Sequence, residues 1–457
     1  MDTQQTKKTP WKERFERLFV PVSINPLIIF RVAFGSALFI WALGMLLSGE
    51  VYHQYIEPKF FFHYRYFQWV EPLPEILMYI IFISLTAFAV MIVLGYYFRV
   101  SVFAFTLLLF YIVLIDKSSY LSYYYFMLLL LTMLFFSPAH RMFSMDILRK
   151  PNLRVDYVPR WCILAFQAQI IAVFYFAGMA KLNSEWLFGG SPVNIWLNEL
   201  MKGCGWEIGV SAFYKISIFI SWVLILYDFL IPQFLFDSKT STKAYIVVVL
   251  VQLLGFILFP VGYFPFLIIF SSLIFLREKL ISEMISRVSY FLYDIFQFKA
   301  EIFKARGGIM LNYRNKKLFP VLISIFFAVQ ITFPVVLFLK WGSKKWATTA
   351  FQFSWQLFIN HKEGDLQAWY YLDDSNTVQH VRLTDYLTEI QKKRMLTDPN
   401  LIIQFVEFLN KEHLKQGNQL HVAASLSKNG AQPILLIDPE KSLDEQIAEF
   451  PKKKQYE

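Results

Sequence analysis

The chain has 457 residues, of which 56% are hydrophobic and 19% aromatic, with a mean hydropathy of +0.43. No soluble globular protein of this length carries that apolar fraction in so many long runs. The net charge of +10 is split among the segments between those runs, which excludes a nucleic-acid-binding face and points to membrane topology and anionic lipid.

Residues through Arg17 are polar and basic, and the apolar run that follows is too long for the h-region of a cleavable signal peptide. It is expected to remain as the first span. Runs near 25–48, 75–98, 100–115, 119–138, 161–180, 212–236, 244–260, 263–276 and 318–340 reach or approach the ~20 residues a crossing helix needs. About nine spans result, with 244–276 open to reading as a hairpin or a re-entrant segment. Basic residues gather before span one (Lys7 to Arg17), between spans four and five (Arg141 to Arg160) and before the last span (Arg277 to Lys317). With about nine crossings these clusters share one side, cytoplasmic by the positive-inside rule, while Lys340, Lys344 and Lys345 run against it. The N-terminus is then cytoplasmic and Lys181 lies at the outer face.

The segment from Ser48 to Leu73 is dense in aromatics, including Phe60, Phe61, Phe62, Tyr66 and Trp69, and reads as an interfacial belt. Leu182 to Val210, with Gly189-Gly190 and Pro192, reads as a second ordered outer loop. Residues 277–317 form a basic, partly amphipathic stretch expected to lie in the inner leaflet. After about residue 346 the composition turns soluble. There, 367–371 and 378–383 read as strands, Asp398-Pro399 as a capped helix start, and Asn429-Gly430 as a hairpin turn. The chain thus divides into a membrane domain, 1–345, and a small domain, 346–457. The fold class is an all-α polytopic membrane protein with a C-terminal extracytoplasmic α+β domain.

Cys162 lies inside span five and Cys204 in an outer loop, so no disulfide between them is expected. The seven histidines show no metal-binding spacing, and no metal is expected. Charged residues within spans are expensive, and each needs a reason. Arg31 sits near the inner end of span one, Asp116 and Lys117 close span three at the outer end, and Asp228 lies inside span six, where a structural partner is the default. Lys181 closes the run Trp161 to Ala180. A rim lysine ordinarily snorkels to water. Facing the protein interior instead, its desolvated amine would be available as a neutral base.

Several segments, in this order, resemble the vitamin K-dependent gamma-carboxylase family, whose bacterial members share the horizontally transferred transmembrane (HTTM) domain. They are Phe30-Arg31-Val32-Ala33-Phe34-Gly35, Ile56-Glu57-Pro58 with Phe67-Gln68-Trp69, Asp116-Lys117-Ser118-Ser119-Tyr120, and Phe176-Ala177-Gly178-Met179-Ala180-Lys181-Leu182 running on to Trp186. In the soluble part they are Phe353-Ser354-Trp355, Thr384-Asp385-Tyr386-Leu387-Thr388 and Leu436-Ile437-Asp438-Pro439. The resemblance implies that Lys181 is the base that deprotonates reduced vitamin K or menaquinol. In the family the quinol then reacts with dioxygen, a γ-proton leaves a glutamate, carbon dioxide adds, and the vitamin leaves as its epoxide. A phenolic proton with a pKa near ~10 calls for a neutral amine, and an apolar cavity protects such chemistry from water.

The resemblance implies a pocket lined by Ser122, Tyr123, Gln252, Trp186 and Arg31, embedded in the bilayer of a bacterial inner membrane and open to a secreted peptide or protein substrate. The chain departs from the family where an Asn-His pair gives way to Ser122 and Tyr123. A His-x-x-Asn motif is replaced by Gln252 and Gly255, and Phe61 stands where histidine is common. Two functions remain open at this point: a quinol-using, carboxylase-like enzyme, or a non-catalytic membrane binding or assembly protein that keeps the scaffold.

Overall fold

The computed structural model describes residues 15–205, 209–259, 261–296, 309–311, 318–341, 355, 360–371, 377–415 and 419–450. It begins with a short strand, β1 (Pro21–Ser23), then α1 (Asn25–Leu47), α2 (Glu75–Leu94), α3 (Phe98–Ile115) and α4 (Ser122–Phe136). Strand β2 (Tyr157–Pro159) leads into α5 (Trp161–Ala180), α6 (Val193–Cys204), α7 (Val210–Phe236), α8 (Ser241–Leu258), α9 (Phe264–Ser272), α10 (Glu278–Phe296) and α11 (Leu318–Trp341). Among the described residues, six helices, α1, α2, α3, α5, α7 and α8, are long and apolar enough to cross a membrane. Shorter apolar helices fill Ser122–Phe136, Phe264–Phe275 and Pro320–Val336, so six and three helices occupy the nine apolar stretches of the sequence. The domain boundary expected at 345/346 falls outside the described residues.

Lipid tails are as apolar as leucine, so these helices associate through close packing and satisfied polar groups rather than by escaping water. Helix α1 forms the centre: Leu27, Phe30, Phe34, Leu38, Trp41 and Met45 are buried along its length. Its start is set by Pro26 in the first turn, where a missing N–H costs nothing. At this end β1 pairs antiparallel with β2, Pro21 opposite Pro159. Helix α10 covers the first part of the amphipathic stretch, with Ile281 buried and Ser282 accepting a hydrogen bond from Asn25 at 3.0 Å.

The same end holds Arg31, fully buried. Its guanidinium donates to the carbonyls of Ala139 (3.0 Å), Met142 (3.5 Å) and Phe143, and so closes the turn after α4. Gly95 (φ +63°) makes room for it: a Cβ there would lie 2.7 Å from Arg31 Nη1 and 2.5 Å from Ser144 Cβ. Beside it His140 stacks on Phe98, ring centroids 5.0 Å apart. Burial, with the charges of Arg99, Arg141 and Arg31, pushes His140 down to about 3.

At the opposite end sits the C-terminal domain, a four-stranded antiparallel sheet in the order β4 (Val378–His380), β3 (Lys362–Tyr371), β5 (Leu420–Lys428), β6 (Ile434–Ile437). Helix α12 (Glu389–Met395) starts with a capping box between Thr388 and Gln391, and α13 (Pro399–Lys415) starts where Asp398-Pro399 indicates. Asn429 and Gly430 take positive φ (53° and 74°) in the turn joining β5 to β6. The aromatic segment after α1 behaves differently from a membrane belt. Phe60 and Phe62 enter the core of the C-terminal domain and pack on Phe405, while Tyr66 and Trp69 stay exposed. Of Phe353-Ser354-Trp355, Trp355 alone is described; it packs on Tyr125 and Phe126.

Asp116 joins the two parts. Its buried carboxylate accepts from Ser118 N (2.9 Å), Ser118 Oγ (2.8 Å), Ser119 Oγ (3.2 Å), Phe62 N (3.4 Å) and Gln391 Nε2 (3.0 Å). Burial pushes this carboxyl up from its ordinary value, and those hydrogen bonds oppose the rise. Asp116→Ala is expected to cost about 2–4 kcal/mol, more than Gln391→Ala, because it strands several buried donors at once. Thermal unfolding and protease sensitivity of the C-terminal domain in detergent would read both variants. His140 makes the second prediction. Between its unfolded value of 6.5 and its folded value of about 3, the unfolded chain holds one more proton. Stability should therefore fall by about 1.4 kcal/mol per pH unit below 6.5, and His140→Phe should remove that component of the pH 7-to-5 profile.

Candidate functional site

Helix α5 ends at Ala180, and Lys181 follows as its C-cap residue. Its side chain turns inward. Only a tenth of it is exposed, and Nζ lies 2.6 Å from Asp228 Oδ2, with the Ala177 carbonyl at 3.4 Å. Asp228 sits in the interior of α7, equally buried. The approach depends on Gly178: a Cβ at that position would lie 3.1 Å from Asp228 Cβ and 3.1 Å from the Phe229 ring. A small residue lets the backbones of α5 and α7 close on each other, as is common between membrane helices. A buried pair of this kind is neutral as a unit but leaves an uncompensated charge when either partner is removed.

A cavity of about 130 Å³ opens beside the pair. Its walls are mostly apolar, with Phe174 from α5, Leu224 from α7, Val251 from α8 and Ile268 from α9. Trp186 and Trp196 form part of its lining, and Lys181 Nζ stands 5.6 Å from the Trp186 ring centre. The short helix that carries Trp186, Ser184–Leu187, is capped by Asn183, whose side chain accepts from Trp186 N at 3.1 Å. Its other polar lining comes from Tyr227, Asp228 and Gln252. Tyr227 lies next to Gln252, and its buried hydroxyl makes no hydrogen bond of good geometry among the described residues. The donor set suits a flat, apolar molecule with polar oxygens at its edge: aromatic walls, an ammonium–carboxylate pair, an amide and a phenol.

The structure therefore brings three of the expected residues, Lys181, Trp186 and Gln252, to one cavity, together with Gly255. Ser122, Tyr123 and Arg31 are not among its lining residues. Arg31 is spent on the turn after α4, at the far end of the bundle from Lys181. Ser122 opens α4, and Tyr123 packs among Tyr124 (4.4 Å between ring centres) and Tyr263 (6.4 Å). Tyr263 directly precedes the cavity-lining Phe264, so Tyr123 touches the wall's outer layer. Sequence reasoning did not place Tyr227 or Trp196 here. It singled out Asp228 without assigning its partner. The available signal was that an acid and a lysine, each costly in its own span, neutralise each other.

The pair can be tested directly. Asp228→Ala and Lys181→Met should each cost about 3–5 kcal/mol, since each leaves a lone buried charge. The double variant Lys181→Met/Asp228→Leu should regain most of that loss, as read by thermal unfolding in detergent. A double variant as unstable as the sum of the singles would rule out the coupling.

Comparison with known families agrees with this arrangement. Residues 19–279 match the HTTM domain, and residues 315–456 match the vitamin K-dependent gamma-carboxylase lumenal domain. No solved structure matches the chain. A bundle of apolar helices and the two domain matches in order lead to one conclusion: the chain belongs to the HTTM family, as a gamma-carboxylase-like integral membrane protein.

Proposed function

We propose that the Lys181 cavity binds a quinol, reduced vitamin K or menaquinol, and that the protein couples its oxidation to carboxylation of a glutamyl side chain. The observation that carries this reading is the Lys181–Asp228 pair, buried at 2.6 Å against an apolar, aromatic cavity. A bound quinol supplies phenolic protons and the electrons for reaction with dioxygen. Trp186, Trp196 and Phe259 flank its ring system, and Gln252 and Tyr227 hydrogen-bond to its oxygens. To act as base, Nζ must give the proton it shares with Oδ2 to Asp228. With it on Asp228, Nζ is a neutral amine whose lone pair takes a phenolic proton. Asp228 also holds the amine in place, and the apolar walls exclude water that would compete for the proton.

Lys181 and the C-terminal domain share one end of the bundle: Glu185, four residues on, meets both Asn429 and Lys428. On the positive-inside pattern that end is extracytoplasmic, with the N-terminus in the cytoplasm, in a bacterial inner membrane. A secreted peptide or protein then reaches the cavity without crossing the bilayer.

A second reading is a membrane binding or assembly protein without catalysis. It is favoured by Tyr123, which fills its position with ring packing rather than lining the cavity. Epoxide formation from reduced vitamin K in purified membranes separates the two. Under the enzymatic reading, wild type forms epoxide and Lys181→Ala loses at least about 10²-fold of the rate. The double variant Lys181→Met/Asp228→Leu serves as the folded, inactive control. Absence of epoxide from folded wild-type protein would leave the scaffold reading.

A further inference from the structure

Although the sequence shows no metal-binding spacing, the fold assembles three metal-ligating side chains at the joint between the two domains. His361 immediately precedes β3 and Glu363 is its second residue, and the two side chains meet on the same side. Glu199 comes from α6, within the stretch that matches the HTTM domain. One ligand atom from each of the three lies within 4.8 Å of the other two, and His361 Nε2 is 2.9 Å from Glu363 Oε1. We propose that Glu199, His361 and Glu363 bind one divalent transition-metal ion, of the zinc class, that ties α6 to the C-terminal domain.

Charge is the first argument. Two carboxylates face each other, and among the described residues neither makes an ion pair with lysine or arginine. A proton on His361 compensates one of them and leaves the other. A divalent cation compensates both. Pre-organisation is the second. The backbone of His361 is held from both sides by Asn429: its N–H donates to Asn429 Oδ1 at 2.8 Å, and its carbonyl accepts from Asn429 N–H at 2.7 Å. Asn429 in turn donates through Nδ2 to Glu185, so the imidazole stands on a segment already fixed to the membrane domain. The third is ligand type. One imidazole and two carboxylates suit zinc, whereas calcium takes six to eight oxygens and magnesium keeps most of its waters. Tetrahedral coordination places ligand atoms roughly 3.3 Å apart. His361 and Glu363 are already near that separation, and Glu199, an exposed side chain within 4.8 Å of both, supplies the third ligand. Water completes the fourth position.

The site would have a structural consequence for the cavity. Trp196, part of the cavity lining, is less than one helical turn before Glu199 on α6. An ion held between Glu199 and β3 therefore steadies a helix that carries part of that lining.

The experiment uses the full-length protein in detergent, with any purification tag removed, stripped with EDTA and titrated with Zn²⁺ by calorimetry. Wild type should bind one equivalent and gain thermal stability that EDTA reverses. Glu199→Gln and His361→Gln should each weaken binding at least about tenfold while leaving the EDTA-treated unfolding midpoint unchanged. With Co²⁺ in place of Zn²⁺, wild type should show the visible absorption of a tetrahedral site, and Glu199→Gln should not. Three results would overturn the proposal: no stoichiometric Zn²⁺, binding unaffected by either substitution, or binding that needs His361 but not Glu199.

Discussion

A charge taken out of water must be answered where it stands, and in this protein that requirement falls on Lys181 and Asp228. Their 2.6 Å contact sets the axial position of α5 against α7, because a slide of one residue would separate amine from carboxylate. Gly178 supplies the clearance that the contact needs. An apolar volume lined by aromatic residues lies beside the charged pair. The pair that fixes the two helices also lines the cavity.

The end of the bundle that carries Lys181 also carries the long-range polar contacts that tie in the C-terminal domain. Asp116 gathers donors from α3's own exit, from the segment holding Phe62 and from Gln391, 275 residues away. Arg394 donates to the Ser118 carbonyl at 3.3 Å, and Phe60 stacks into the C-terminal domain beside Phe408. The soluble domain is thus built partly from residues of the membrane domain. A sheet whose hydrophobic core includes Phe62 has no complete core without the bundle beneath it.

What could be read from sequence follows from the range of the interactions concerned. Spans declare themselves by local apolar density, and the turn at Asn429-Gly430 and the helix start at Asp398-Pro399 by backbone preferences of adjacent residues. Lys181, Trp186 and Gln252 were recognisable through a family pattern, and they do meet at one cavity. Arg31 was equally conspicuous, yet a buried arginine is satisfied as well by carbonyls of a turn as by a ligand, and the sequence does not distinguish these. Phe60 and Phe62 looked like a belt because aromatics at a membrane rim have that role by default. Only the docked domain explains their burial. Tyr227 and the trio Glu199, His361 and Glu363 depend on contacts between distant segments, which leave no local trace.

The order of the two charged residues along the chain bears on how the protein is made. Lys181 is synthesised 47 residues before Asp228, so helix α5 leaves the ribosome while its counter-ion is still untranslated. In that interval the ammonium has nowhere to go but the headgroup region at the end of its helix, which a long flexible stem allows. Only when α7 has entered the bilayer can the amine withdraw from water to its carboxylate. Closure of the interior therefore waits on α7, and the nascent protein passes through a stage in which α5 is in place but the pair and the cavity beside it do not yet exist.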